Sequence, residues 1–192
     1  MFGDRERIKC CVIGDFNTGK TSIIRTFLDM NTKNVSTTLG IDFFSKTISV
    51  KNKQIYLTMW DTAGSERFHS LTQSYLRGSN LVIICYDLSQ SYSNVVKWMR
   101  ELEQNPPKVV GLLGTKTDLT RQNHENISEM IFPWSRQHYN VVQGTSTVKD
   151  SDTIKFFFKK CLYALVDEIP EKSSVIPVKL NKLRLKNRKC CT

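Results

Sequence analysis

The segment GDFNTGKT at residues 14–21 combines residue types and spacing that suit it to holding phosphate groups. It fits the pattern G-x-x-x-x-G-K-[ST] and stands between an apolar run and a helix-like run, as that pattern requires. Backbone N–H groups in such a loop form a concave anion site, and the N-terminus of the following helix adds positive charge. We expect Lys20 to reach the β- and γ-phosphates and the Thr21 hydroxyl to coordinate Mg²⁺. The alternative is an ordinary glycine-containing turn.

A second segment, WDTAGSERF at residues 60–68, follows an apolar run and offers a carboxylate and a glycine at a fixed spacing. Asp-x-x-Gly after a strand is a common arrangement for holding a metal ion and contacting a phosphate. Asp61 and Gly64 therefore join the candidate site. The residue that follows the glycine is Ser65.

The segment TKTD at residues 115–118 follows another apolar run and could read a base. A carboxylate can accept two hydrogen bonds from the N1–H and 2-amino groups of guanine, whereas adenine offers no such donor pair. Asp118 is therefore the candidate for base specificity, and the aliphatic stem of Lys116 would cover the face of the base. Thr145 and Ser146 stand where a second base-contacting loop belongs. TKTD alone is a weak signal, and its order after the first two segments makes it informative.

These segments need elements that bring them together, and the chain alternates predicted strands with predicted helices. Apolar or β-rich runs predict strands at 8–14, 41–50, 55–60, 81–87, 109–114 and 141–146, with the second and third joined as a hairpin. Helical runs are predicted at 21–29, 91–104, 127–139 and 151–169. The alternation favours an α/β fold with a mostly parallel sheet.

Composition and charge narrow the class of protein. The 192 residues carry a net charge of +10, but six of the 28 basic residues lie in 179–192, which holds no acidic residue. The charge therefore indicates a basic tail rather than a nucleic-acid-binding domain. We find no secretory signal and no apolar run long enough to span a membrane. The expected buried, reduced thiols of a cytosolic protein are Cys10, Cys11, Cys85 and Cys161.

The motifs GDFNTGKT, WDTAG, TKTD and GTS, in this order and spacing, resemble the Ras superfamily of small GTPases. Four further segments resemble those that distinguish Rab proteins: LGIDFFSKTI (39–48), LTMWDTAGSERF (57–68), SLTQSYLRGS (70–79) and the ending CCT. The resemblance implies the small-GTPase (P-loop NTPase) fold, a mostly parallel six-stranded sheet with one antiparallel edge strand and helices on both faces. Residues 1–169 would form the GTP-binding domain and residues 170–192 a flexible basic tail.

The resemblance also implies which residues bind nucleotide and metal. Thr38 matches a threonine that ligates Mg²⁺ and touches the γ-phosphate, Asp61 would hold Mg²⁺ through water, and the Gly64 N–H would bind the γ-phosphate. The implied Mg²⁺ ligands are Thr21, Thr38 and Asp61, and the implied catalytic residues are Lys20, Thr38, Gly64 and Ser65. The residues implied to bind GTP or GDP are Gly14, Asp15, Phe16, Asn17, Thr18, Gly19, Lys20, Thr21, Ser22, Thr38, Asp61, Gly64, Thr115, Lys116, Asp118, Leu119, Thr145, Ser146 and Thr147.

Four departures from the family pattern bear on chemistry. Ser65 stands where the family usually has a glutamine that orients the attacking water, and serine is too short to do so. Phe16 replaces a smaller residue, and its ring could crowd the γ-phosphate or a partner's arginine. Thr115 replaces the usual Asn and loses an amide that braces the base loop against the phosphate loop. Thr147 and Val148 replace Ala and Lys. We expect slower hydrolysis from the first two departures and weaker nucleotide binding from the others.

The ending Cys190-Cys191-Thr192 resembles the double-cysteine ending of Rab proteins, which takes two geranylgeranyl chains. One lipid chain gives only marginal membrane binding, so a second anchor has a physical purpose. The basic residues that would add attraction to anionic lipid are Lys179, Lys182, Arg184, Lys186, Arg188 and Lys189. The alternative is a solvated charged tail with free thiols.

The leading hypothesis is a Rab-like GTPase, a lipid-anchored GTP/GDP switch in vesicle traffic that needs Mg²⁺, hydrolyses slowly and is biased toward GTP. The alternative is a GTP-binding effector scaffold without significant turnover. A nucleoside-monophosphate kinase would explain neither DTAG nor CCT. We expect a monomer in the cytosol and on the cytoplasmic face of an intracellular membrane, Golgi or endosomal.

The resemblance implies a set of protein partners but no nucleic acid. Rab effectors would read Phe43, Trp60 and Tyr75, which match the aromatic triad of the family. Ordinary core packing is the alternative role for these rings. The other expected partners are an exchange factor, an activating protein, a prenylation escort and a GDP-dissociation-inhibitor-type protein.

Overall fold

The computed structural model describes residues 6–33, 35–38, 40–64, 69–90, 93–119 and 140–166. Its strands are β1 (Glu6–Ile13), β2 (Ile41–Val50), β3 (Lys53–Thr62), β4 (Leu81–Asp87), β5 (Val109–Thr115) and β6 (Asn140–Thr145). Its helices are α1 (Lys20–Phe27), α2 (His69–Leu76), α3 (Ser93–Leu102) and α4 (Ser151–Val166), with a 3-10 turn at Thr117–Leu119. Each predicted strand lies within two residues of an observed one. The predicted helix at 127–139 lies outside the described residues.

The six strands form one sheet in the order β2-β3-β1-β4-β5-β6. Only the β2–β3 pair is antiparallel, with Val50 opposite Lys53 at the hairpin end. The two residues between these strands, Lys51 and Asn52, have φ of 47° and 64°, as a tight two-residue hairpin turn requires. The neighbouring pairs from β3 to β6 are parallel. The predicted mostly parallel sheet with one antiparallel edge strand is confirmed.

Helices cover both faces of this sheet. On one face α1 and α4 pack together, and the rings of Phe27 and Phe158 stack with centroids 4.1 Å apart. On the other face α3 buries Trp98 and Met99 against β4 and β5. The four cysteines of the described chain, Cys10, Cys11, Cys85 and Cys161, are free and buried, as predicted. Burial raises the pKa of the Cys11 and Cys85 thiols to about 12.

The parallel strands bring the predicted motifs to one edge of the sheet. The phosphate loop follows β1, DTAG runs from the end of β3, and TKTD and GTS lie at the ends of β5 and β6. Because β1, β3, β5 and β6 point the same way, these segments meet at their carboxyl ends, where open α/β sheets bind ligands. Within the described ranges, no helix has the length and apolar character needed to cross a membrane.

Candidate functional site

The phosphate loop is bent by residues that tolerate left-handed backbone. Gly14 has φ 138°, and a Cβ there would overlap the carbonyl oxygen of Cys85 on β4. Asn17 and Gly19 have φ of 61° and 87°, conformations that asparagine and glycine adopt more readily than other residues. These bends turn the chain from β1 into α1, which begins at Lys20.

Lys20 is held inside this loop. Its Nζ donates to the carbonyl oxygens of Gly14, at 2.9 Å, and Asp15, at 2.8 Å. The side chain is 6% exposed, and burial lowers the pKa of its ammonium. An ammonium carries three N–H donors, so two carbonyl contacts leave one donor for a ligand. The loop thus presents a fixed, buried positive charge.

Thr21, Thr38 and Asp61 converge on one point beside Lys20, and we call them the hydroxyl–carboxylate cluster. The Thr21 hydroxyl donates to Asp61 Oδ2 at 2.5 Å, and the Thr38 hydroxyl lies 3.3 Å from the same oxygen. The two hydroxyl oxygens are 2.9 Å apart. The structure therefore brings together three residues from three separate segments that the sequence analysis assigned to one metal ion.

Asp61 is buried in a way that suits a cation ligand. Its side chain is fully buried, and its Oδ1 accepts no hydrogen bond from the described residues. Burial raises the pKa of this carboxyl, although the Thr21 hydrogen bond and the Lys20 charge oppose the shift. Hard oxygen donors of this kind suit Mg²⁺, so the residues fit the metal that the family implies. No cluster of three or more His, Cys, Asp or Glu residues that could hold a metal occurs in the described ranges.

Gly64 closes the cavity from the opposite side. A Cβ at this position would lie 2.5 Å from both the Asp15 carbonyl oxygen and Lys20 Nζ, so only glycine permits the close approach. A cavity of about 150 Å³ lies between the phosphate loop and the segments 35–38 and 62–64. Phe16 lines this cavity with 59% of its surface exposed. Its ring therefore lies at the rim of the cavity.

The Thr115 side chain links the end of β5 to the phosphate loop, although it lacks the asparagine amide of the family pattern. Its hydroxyl is buried and donates to the carbonyl oxygen of Thr18 in the phosphate loop, at 2.7 Å, with the Tyr86 carbonyl oxygen at 3.1 Å. The asparagine amide is absent, as expected, but the threonine hydroxyl still links the base loop to the phosphate loop. The expected weaker nucleotide binding stays a prediction. A threonine hydroxyl supplies one donor where an asparagine amide supplies two, so a single hydrogen bond serves as the brace.

Asp118 is already hydrogen-bonded at both oxygens. Thr147 Oγ1 donates to Oδ1 at 3.0 Å, and Lys149 Nζ lies 2.9 Å from Oδ2. These contacts, that from Lys149 first, lower the pKa of the Asp118 carboxyl. Lys149 was not among the predicted site residues, although it directly follows the segment GTSTV at 144–148.

The remaining predicted base-loop residues differ in exposure. Lys116 has φ 60°, and its ammonium pairs with the buried Asp87 carboxylate at 2.8 Å. Leu119 is 66% exposed, whereas Ser146 is buried and its N–H donates to the Gly114 carbonyl oxygen at 2.8 Å. Thr145 ends β6 and is half-buried. Lys116 and Leu119 thus lie after the end of β5, and Thr145 and Ser146 lie at the end of β6.

A contact that sequence reasoning missed joins the phosphate loop to α3. Asp15 Oδ2 accepts from Asn94 Nδ2 at 2.6 Å, and Asp15 Oδ1 accepts from the buried Trp98 Nε1 at 3.0 Å. The Asp15 carbonyl oxygen meanwhile accepts from Lys20 and from the Thr18 hydroxyl. No spacing in the sequence indicated that α3 orients this aspartate.

The three predicted effector residues form a continuous aromatic surface across β2, β3 and α2. The Phe43 and Trp60 rings meet edge to face at 5.2 Å, and the Trp60 and Tyr75 rings stack at 6.0 Å. Phe43 is 53% exposed, while Trp60 and Tyr75 are partly buried against the core. Lys9 Nζ lies 5.0 Å from the Trp60 ring centroid. Ser65, Cys190 and Cys191 lie outside the described residues.

The sheet order and a phosphate loop between β1 and α1 give the fold class of P-loop nucleotide-binding proteins. A sequence profile described as the Ras family matches residues 9–165, and the chain belongs to that family. Ras-related protein Rab-10 of Caenorhabditis elegans is 43% identical over 118 residues, covering 58% of this chain and 58% of that protein. Ras-related protein Rab-31 of Rattus norvegicus is 40% identical over 125 residues, covering 62% and 64%. The chain thus spans less than two thirds of either relative, and both support the predicted Rab membership.

Proposed function

We propose that this chain is a Rab-like small GTPase, a GTP/GDP switch that acts in vesicle traffic. The observation that carries the proposal is the hydroxyl–carboxylate cluster beside the buried Lys20 ammonium. It joins the phosphate loop to two other segments that border the same cavity. A γ-phosphate bound there would touch all three segments, so its loss would release two of them, as in other nucleotide switches.

The residues of the cluster would divide the work of binding GTP. Thr21, Thr38 and Asp61 would hold Mg²⁺, which supplies positive charge against the phosphates when bound. Lys20 would contribute its free N–H donor to a phosphate oxygen. Gly64 would bring its backbone N–H close to the same phosphate because no side chain intervenes. The other predicted ligands in 14–22 would surround the phosphates. Those proposed to surround the base are Thr115, Lys116, Asp118, Leu119, Thr145, Ser146 and Thr147.

Hydrolysis is proposed to be slow because Ser65 replaces the glutamine that positions water in the family. The test is single-turnover GTP hydrolysis by the natural chain and by Ser65→Gln. We expect the variant to be faster, since glutamine reaches further from the same backbone position. Equal rates would show that Ser65 does not limit catalysis.

The second candidate is a GTP-binding scaffold without turnover. It is favoured because the predicted binding residues are present, whereas Ser65 replaces the glutamine that positions water. The nucleotide that copurifies with the protein, and its fate in a single-turnover assay, separate the two. Mostly GDP supports a cycling enzyme. Bound GTP that is not converted to GDP even in a prolonged single-turnover assay supports the scaffold, since a slow enzyme would also copurify partly with GTP. Purified protein without guanine nucleotide, and without affinity for it, would contradict both.

The membrane and partner roles are proposed on the sequence of the tail and on the aromatic surface. Residues 170–192 would form a tail after the GTP-binding domain, and its basic residues with geranylgeranyl groups on Cys190 and Cys191 would anchor the protein to a Golgi or endosomal membrane. Phe43 supports effector contact, because its ring is 53% exposed and continues the aromatic surface through Trp60, and exposed aromatic rings make good binding anchors. Exchange factors, activating proteins and prenylation partners of the Rab type would complete the cycle.

A further inference from the structure

The base-reading carboxylate carries a contact that base recognition does not explain. Guanine recognition by Asp118 needs both carboxylate oxygens as acceptors. In this chain Oδ1 already accepts from the Thr147 hydroxyl and Oδ2 from the Lys149 ammonium. Two donors of the chain itself therefore stand at the edge where guanine would bind.

The two donors differ in kind. The Thr147 hydroxyl is neutral and takes one lone pair of Oδ1, which leaves another for a base. Lys149 brings a full positive charge to Oδ2 at 2.9 Å, and its side chain is 75% exposed. An exposed ammonium on a flexible stem can leave the carboxylate, at the cost of the ion pair. Of the two donors, Lys149 is therefore the stronger competitor.

The neighbouring lysine of the base loop does not share this role. Lys116 directs its ammonium to Asp87, 2.8 Å away, and that carboxylate is 4% exposed. The hydrogen bonds from Lys116 and Ser89 outweigh the effect of burial and lower the pKa of the Asp87 carboxyl. Lys116 is thus paired with a buried carboxylate, and Lys149 is the exposed cation at Asp118.

Resting on the proposed function, we infer that Lys149 is a specificity-determining residue, because its ammonium competes with the guanine 2-amino group for the Asp118 carboxylate. Binding of guanine must displace or share this ion pair. A base that keeps N1–H but lacks the 2-amino group, such as hypoxanthine, leaves the pair less disturbed. The chain should therefore discriminate weakly between guanosine and inosine diphosphates.

The test compares affinities for GDP and inosine diphosphate, measured by calorimetry with Mg²⁺, for the natural chain and three variants. Lys149→Met keeps the stem and removes the charge. This variant should bind GDP about twofold to fivefold more tightly, which is the effect expected from removing an exposed ion pair. Its affinity for inosine diphosphate should rise less. Lys149→Arg keeps a cationic donor and should leave the ratio of affinities unchanged. Lys53→Met, an exposed lysine at the far end of β3, should also leave it unchanged.

Ionic strength gives a second readout. Because salt screens an exposed ion pair, the gap in GDP affinity between Lys149→Met and the natural chain should narrow as salt rises. An unchanged ratio of GDP to inosine diphosphate affinity in Lys149→Met, with GDP still bound, would overturn this inference alone. If neither chain bound guanine nucleotide, the proposed function would fall, and this inference with it.

Discussion

The two aspartates at opposite ends of the site show how differently one chain can set up a carboxylate. Asp61, at the end of the site that we propose binds phosphate (the phosphate end), is fully buried, and burial raises its pKa. Asp118, at the end that we propose binds the base (the base end), is partly exposed, and Lys149 and Thr147 lower its pKa. Asp61 accepts hydrogen bonds from two hydroxyls but has no ion pair among the described residues, whereas Asp118 has one.

The two carboxylates therefore differ in direct ion pairing: Asp118 is already paired with Lys149, whereas Asp61 has only the nearby charge of Lys20. Burying a carboxylate that makes no direct ion pair is costly even with the Lys20 charge nearby, so binding a metal would relieve that cost as well as add contacts. An exposed carboxylate paired with lysine gives up a favourable contact when a ligand arrives. The phosphate end should therefore gain more from its ligand than the base end does.

The largest effect should come from Asp61→Asn, which removes the charge at the phosphate end but keeps the shape. We expect Mg²⁺ to strengthen GDP binding in the natural chain and this benefit to fall by about tenfold or more in the variant, the range seen when metal sites lose supporting groups. Calorimetry of GDP with Mg²⁺ and with EDTA measures it. Asp152→Asn, an exposed aspartate on α4, is the matched control and should keep the full benefit. An undiminished Mg²⁺ effect in Asp61→Asn would refute the metal assignment.

Much of the fold around these aspartates could be predicted, because strands that are buried on both faces of the sheet consist mainly of apolar residues. Every residue of β4 and β5 is buried, so each strand appears as an unbroken apolar run with sharp ends. Helix α2 was missed because HSLTQSYL has few apolar residues at helical spacing.

The second-largest effect should come from Thr115→Val, which tests the hydrogen bond between the base loop and the phosphate loop. Valine keeps the shape but leaves the Thr18 carbonyl oxygen without its buried donor. Such a loss costs about 1–2 kcal/mol in the free energy of unfolding and should speed GDP release. Urea unfolding and nucleotide exchange kinetics measure both. Thr47→Val, at an exposed position of β2, should change the unfolding free energy by less than about 0.5 kcal/mol. Matching results for the two variants would show that the Thr115 hydroxyl does not brace the two loops.

The contacts of the site were harder to predict than its motifs. GDFNTGKT and DTAG each follow a strand of the predicted, mostly parallel sheet, so the sequence alone indicated that the two motifs meet at one edge. The Thr115 brace depends on the distance between the end of β5 and the phosphate loop after β1. The Lys149–Asp118 pair depends on the distance between the loops that follow β5 and β6. Residue type suggested that replacing asparagine removes a brace, but a threonine hydroxyl at the right distance supplies one. The distance between the Thr115 hydroxyl and the Thr18 carbonyl oxygen is set by the fold and cannot be obtained from the spacing of the two residues in the sequence.

A pH series should show the two aspartates acting in opposite directions. The folded-state pKa of Asp61 is raised, so stability that depends on its protonation is present at low pH and lost as pH rises through that pKa. With metal and nucleotide removed, Asp61→Asn should be more stable than the natural chain at neutral pH. This advantage should shrink as pH falls, by at most about 1.4 kcal/mol per pH unit.

Asp118→Asn provides the opposite case for the same series. Its folded-state pKa is lowered, so its contribution is present above the ordinary pKa and lost as pH falls through the lowered value. The natural chain should therefore lose its advantage over Asp118→Asn in acid. Urea unfolding in EDTA at each pH measures both differences. Parallel pH curves for the two variants would mean that burial and ion pairing do not distinguish these carboxylates.

The smallest effect should come from Thr147→Ala, which removes the neutral donor at Asp118 and leaves the charged one. An exposed hydroxyl–carboxylate hydrogen bond contributes little, and Oδ1 keeps a second lone pair for a ligand whether or not the hydroxyl is present. GDP affinity should therefore rise by about twofold at most, less than in Lys149→Met. A larger gain from Thr147→Ala than from Lys149→Met would assign the competition to the hydroxyl, and the contrast with Asp61 would then rest on hydrogen bonding instead of charge.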